Sequence, residues 1–119
     1  NLQDWYKASD SYFLLGKIAQ SRQMLEDASI YYQKSFMIFQ YFQDWYKVPL
    51  ALKSLGDISK TQYLWSDALK FYLQALIIDW QNHQGWVTLL VDDLAHVLQF
   101  LGETQFDTIW CQVTGEECA

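Results

Sequence analysis

Proline occurs once in this chain and glycine five times, which leaves few places for the tight turns that a meander of short strands requires. Long helices are therefore expected. Cysteine is scarcer still: Cys111 and Cys118 are the two present. Both lie near the C-terminal end without a CxxC pair, so neither a disulfide framework nor a closed zinc site is expected. A reducing, cytoplasmic setting fits that count. Basic residues are few as well. Eight Lys and Arg stand against fourteen Asp and Glu, a formal net charge of −6, the wrong sign for a partner whose binding releases counterions from phosphates. Nucleic acid is not expected as a partner. No uninterrupted apolar run approaches the roughly 20 residues needed to cross a bilayer, and the first residues lack the basic start and apolar stretch of a signal peptide. The segment reads as soluble, with no membrane partner. It opens at Asn1 rather than Met, which reads as a piece of a longer protein. Catalytic signatures are missing too: there is no glycine-rich phosphate loop, no nucleophile elbow, and no His set beside a carboxylate and a nucleophile. Neither enzymatic activity nor a cofactor is expected.

What the chain has in quantity is apolar matter. Hydrophobic residues make up 51% and aromatic residues 18% of 119 positions, enough for one domain with a single core and too much for a disordered tail. The arrangement repeats. Sliding the chain along itself by forty positions brings Gln3-Asp4-Trp5-Tyr6-Lys7 onto Gln43-Asp44-Trp45-Tyr46-Lys47. The same offset pairs Leu15-Gly16 with Leu55-Gly56, Ile18 with Ile58, Asp27-Ala28 with Asp67-Ala68, Tyr32 with Tyr72 and Ile38 with Ile78. Chance in a chain of this composition would supply roughly two or three such identities, so an internal repeat is the economical reading. A third unit is more worn. Val91, Leu94, Ala95 and Leu98 align with Leu52, Leu55, Gly56 and Ser59 at an offset of 39, whereas Phe106, Ile109 and Trp110 align with Trp65, Ala68 and Leu69 at 41. The segment Gln3 to Lys7, with counterparts at Gln43 to Lys47 and Gln84 to Val87, reads as the tail of a connection.

Within each unit the apolar period is close to 3.6, as a helix buried along one stripe requires. Val48, Ala51, Leu52, Leu55 and Ile58 make one such stripe, and Leu25, Ala28, Tyr32, Phe36 and Phe39 another. The pattern predicts an all-α domain of three helix pairs, in units of about 6–40, 46–80 and 86–118. Its helices are Tyr6 to Ser21 with Leu25 to Gln40, Tyr46 to Thr61 with Leu64 to Asp79, and Trp86 to Leu101 with Thr104 to about Cys118. Pro49 has no N–H to give and belongs in a first turn. Gly16, Gly56 and Ala95 fall in mid-helix, where glycine costs about 1 kcal/mol relative to alanine. Close approach of a second helix at Ala28 and Ala68 is the expected compensation.

This pattern resembles the tetratricopeptide repeat, in a variant with a longer connection between units. The family's succession of a large residue, Leu, Gly, then Ala, an aromatic and a small residue is met by Tyr12, Leu15, Gly16, Ala28, Tyr32 and Ser35, and again by Leu52, Leu55, Gly56, Ala68, Tyr72 and Ala75. Departures are Gln23 and Tyr63 at the usual turn glycine, and Ile109 where alanine is usual. The resemblance implies an α-solenoid of three antiparallel hairpins wound into a right-handed superhelix, whose first helices line a concave groove that receives a peptide or helix. Such a stack presents an extended surface with no chemistry of its own. A protein-interaction module, serving as scaffold or sensor segment, is therefore expected.

Carried over from the family, the groove positions are Phe13, Lys17 and Gln20 on the first helix, Lys53, Asp57 and Lys60 on the third, and Asp92, His96 and Gln99 on the fifth. Lys17, Lys53 and Lys60 give this stripe a positive bias that suits an acidic ligand, although Lys53, Asp57 and Lys60 also have the spacing to pair along their own helix. The corresponding positions do not reproduce the family's carboxylate clamp: Phe13, Lys17 and Ser54 stand there. Asp92 and His96 are four apart but have no third metal ligand nearby. Cys111 and Cys118 are expected to pack, and Trp5, Trp45 and Trp86 either anchor a partner or seal one hairpin on the next. A rival expectation is structural: the ends of the stack expose apolar faces, and the chain serves as a spacer or self-associates through those faces within a larger array.

Overall fold

Asn1 caps the first helix, its side-chain Oδ1 accepting the Asp4 N–H at 2.9 Å, as short polar residues do at helix starts. The computed structural model describes residues 1–82 and 87–116, with backbone alone at 87–89. Six helices follow in order: α1 (Leu2–Ser21), α2 (Leu25–Tyr41), α3 (Val48–Thr61), α4 (Trp65–Gln81), α5 (Val87–Leu101) and α6 (Glu103–Thr114). No strand occurs among the described residues. Each helix packs on the next in sequence, so the fold is all-α with sequential packing. Trp86 and Cys118, singled out in the sequence, lie outside the described residues.

The hairpin α1–α2 and the hairpin α3–α4 close in the same way. A Cβ built on Gly16 would stand 2.7 Å from Cδ1 and Cε1 of Tyr32, and one on Gly56 would stand 2.6 Å from Cε1 of Tyr72. Both tyrosines are fully buried, as are Ala28 and Ala68 beside them. The mid-helix glycines thus exchange helix propensity for a ring laid directly on the backbone. The tyrosine hydroxyls find carboxyl or amide oxygens across the hairpin: Tyr32 donates to Gln20 Oε1 at 2.7 Å and Tyr72 to Asp57 Oδ1 at 2.6 Å.

Three helices end on one device. Gln23, Gln43 and Tyr63 all take left-handed backbone, with φ of 61°, 55° and 63°. In each case the next N–H reaches back five residues: Met24 to the Ala19 carbonyl, Asp44 to Phe39, and Leu64 to Ser59, at 2.8 to 2.9 Å. This is the hydrogen-bond pattern of a Schellman end, which glycine usually supplies. It also corrects the reading of Gln3 to Lys7. In the second unit the matching segment must first end α2, so Gln43 turns left-handed and residues 45–47 form a turn before Val48. In the first unit those five residues are instead the opening turns of α1.

The third pair differs from the other two. Its helices meet at a single residue, Gly102 (φ 78°), and α6 lies chiefly against α4, with a lighter contact on α5. Val91 and Leu98 are exposed and Ala95 is too, so the stripe expected to close a third hairpin does not. The cause is visible in the replacements: Ala95, Ile109 and Val113 stand where glycine, alanine and tyrosine stand in the earlier hairpins. Branched Ile109 keeps backbones from close approach, and no tyrosine ring is there to fill the gap. Helix α6 stops at Thr114, short of the expected end near Cys118, because Gly115 adopts left-handed backbone (φ 77°). The buried residues form two clusters, the smaller joining Ala19, Ala28 and Tyr32 to Leu55 and Ile58. Val48, Ala51, Leu52, Leu69, Tyr72 and Leu73 form the centre of the larger one, joined by Phe39 from α2 and by Leu90, Val97 and Ile109 from α5 and α6.

Candidate peptide-binding groove

The first helices of successive pairs stand side by side, and charged side chains cross from each to the next. Lys47, at the start of α3, places Nζ 3.0 Å from Asp10 Oδ1 on α1 and also lies over the rings of Tyr6 and Phe39. Tyr6 donates its hydroxyl to Asp44 Oδ2, and Asp44 Oδ1 accepts the Lys47 N–H at 3.2 Å. Hydrogen bonding to Asp44 raises the Tyr6 pKa, with burial adding to it. Further along, Lys53 reaches Asp57 at 3.0 Å within α3 and Asp93 on α5 at 3.5 Å, while Lys60 reaches Asp93 at 2.8 Å. Burial opposes the charge of Lys53, but its bonds to Asp57 and the nearby Asp93 outweigh this and raise its pKa.

Six of the nine residues expected in the groove, those on α1 and α3, make contacts with one another or with their neighbours, and the three on α5 do not join the ion pairs. Phe13 is half-buried against Tyr32, with ring centroids 5.4 Å apart, and carries Lys17 Nζ over its face at 5.0 Å. Gln20 receives the Tyr32 hydroxyl, and that hydroxyl also lies near Ser54 and Asp57 of the next unit. Lys53, Asp57 and Lys60 form the ion cluster just described. On α5, by contrast, Asp92 and Gln99 are exposed and take no part, and His96 lies beside the stacked rings of Trp65 and Phe100, at 5.7 and 5.5 Å from their centroids. The α5 residue that faces the lysines is Asp93, absent from the expected set. An offset of 39, chosen to match apolar residues, pushed the register one position back. An unbroken forty-residue offset would have set Asp93 on Lys53. No group of three or more metal-ligating side chains occurs among the described residues.

Between α1 and α3 a cavity of about 110 Å³ is lined by Asp10, Phe13, Phe39, Tyr46, Lys47 and Leu50. Its walls are mostly apolar and the Asp10–Lys47 ion pair stands at its rim. Trp45 packs on the core, whereas Trp5 is half-exposed at the outer end, edge-on to Tyr41 with centroids 4.9 Å apart. Cys111 is disulfide-bonded, against the expectation that it only packs. No helix among the described residues is long and apolar enough to cross a membrane. Compared with known proteins, the chain matches no family model, no curated protein and no solved structure.

Proposed function

We propose that this chain is a tetratricopeptide-like interaction module which holds a peptide or a helical segment of another protein along the side-by-side faces of α1, α3 and α5. The observation that carries this reading is the small apolar cavity at the α1–α3 seam, roofed on one side by an ion pair. About 110 Å³ suits one branched aliphatic or methionine side chain, with the ligand backbone left free to bond along the seam. The solenoid winding and the absence of catalysis belong to the same proposal. Sequential helix packing and two hairpins closed by the same Gly–Tyr contact support it.

The acidic ligand suggested by three lysines is less well supported. Asp57 and Asp93 balance Lys53 and Lys60 at 2.8 to 3.5 Å, which leaves Lys17 as the cation of the original stripe that faces an aromatic ring instead of a carboxylate. Recognition by an anchored apolar side chain is the reading favoured here.

Selection of the full chain against a displayed random-peptide library tests the proposal. Selected peptides are expected to share one Leu, Ile or Met and to lose at least about tenfold in affinity when Leu50→Trp fills the cavity, with helicity unchanged. Peptides bound equally well by Leu50→Trp would remove the seam as the site.

A further inference from the structure

The two well-formed units allow each exposed position to be judged by its twin forty residues away. On α3, Val48, Ala51, Leu55 and Ile58 are 0 to 3% exposed. Leu55 and Ile58 are buried in a cluster with Ala19, Ala28 and Tyr32 of the preceding hairpin. On α1 the twins of these two residues are identical in type, yet Leu15 is 41% and Ile18 49% exposed, and Leu14 alongside them is 60% exposed. The same side chains at the same register are thus dry in one unit and wet in the other. What differs is the presence of a second helix from an earlier hairpin.

The opposite end of the stack is built otherwise. Gln105, Thr108 and Gln112 are exposed on α6, while Phe106, Ile109, Trp110 and Val113 turn inward onto the core. A polar outer face is what a terminal unit of a repeat stack requires, and an apolar one is what an internal joint requires. This asymmetry also argues against head-to-tail association of copies, because α6 has no apolar stripe to lay on α1.

We propose that the outer face of α1, centred on Leu15 and Ile18, is a joint that accepts the second helix of another hairpin of this same repeat type, as α3 accepts α2. The occupant carries a small residue at the Ala28 position and an aromatic at the Tyr32 position, since those two pack with Leu55 and Ile58. The joint is separate from the groove and stands whether or not a peptide binds there.

The test adds such a hairpin and asks whether the joint closes. Because Gln43 follows Phe42 and is the twin of Gln3, residues 1–42 placed directly ahead of Gln3 of the full chain reproduce the natural junction. In the unextended chain, Leu15→Glu with Ile18→Glu is expected to leave the melting temperature within about 1 °C. In the extended chain the same pair, made in the inner copy, is expected to lower it by about 5 °C or more. Made in the outer copy, it is expected to do nothing. Equal indifference of the inner and outer copies would overturn the joint. A concentration-dependent dimer of the unextended chain that the two glutamates dissociate would overturn it too, assigning the face to a second copy.

Discussion

Tyr72 lies on Gly56 so closely that a methyl group on the glycine would come within 2.6 Å of the ring, and Tyr32 lies on Gly16 in the same way at 2.7 Å. The Tyr72 ring has no easy escape, because it is fully buried and its hydroxyl is tied to Asp57 at 2.6 Å. Gly56→Ala therefore sets a gain in helix propensity of about 1 kcal/mol against overpacking of up to about 3 kcal/mol. A net loss of about 2 kcal/mol is expected in urea unfolding. A neutral or stabilising result would mean that the hairpin closes with more slack than the geometry gives it.

The left-handed ends lead to changes in the other direction. Left-handed backbone costs an ordinary residue about 1–2 kcal/mol, a cost glycine avoids. Gln23→Gly and Gln43→Gly are each expected to raise stability by about 1 kcal/mol, read as a higher urea midpoint with the slope unchanged. Tyr63→Gly should gain less, since Tyr63 also meets Trp65 edge-on with centroids 5.9 Å apart.

Ser35 offers a third test. It is fully buried, and among the described residues its hydroxyl has no hydrogen-bond partner. The twin position holds Ala75, also fully buried. Removing an unpaired buried hydroxyl recovers its desolvation cost, so Ser35→Ala is expected to add about 1 kcal/mol and the reverse change, Ala75→Ser, to cost a similar amount. Calorimetry on both variants decides it.

Alkaline pH should expose the tyrosine network. Burial raises the pKa of Tyr72, with its bond to Asp57 adding to this, and burial likewise raises that of Tyr32. A folded-state pKa above the unfolded value of 10.0 contributes stability that is fully present below pH 10 and declines above it, as unfolding becomes the route to deprotonation. Lys53, raised above 10.5, acts with the same sign. Stability is therefore expected to fall once pH passes about 10, with the tyrosinate signal of Tyr72 appearing together with loss of helicity. Ionisation of all eight tyrosines before any unfolding would contradict this.

Much of this architecture was legible in the chain itself. Apolar spacing near 3.6 marked the helices, and Gly16, Ala28, Tyr32 and their twins marked how two hairpins close, because a repeated small residue opposite a repeated ring has one economical packing. The ends of α1, α2 and α3 fall within one residue of the expected Ser21, Gln40 and Thr61, but the backbone that makes them was not legible. Gln23, Gln43 and Tyr63 are not glycine, and they are left-handed where the N–H of the following residue bonds the carbonyl five residues back. Which carboxylate of α5 meets Lys53 and Lys60, Asp93 and not Asp92, was not legible, because it depends on how α5 rotates against α3.

The sequence by itself determined helix content, pairing and the two-fold repetition of the first hairpins, since these follow from local period and from side-chain volume at matched positions. Only the tertiary structure decided that α6 leaves α5 for α4, that Asp93 neutralises two lysines, and that Leu15 and Ile18 are wet where Leu55 and Ile58 are dry. Each of these depends on which neighbour stands beside a residue in space. Two side chains of the same type at matching positions of the repeat differ in that respect because a preceding hairpin covers one pair and not the other.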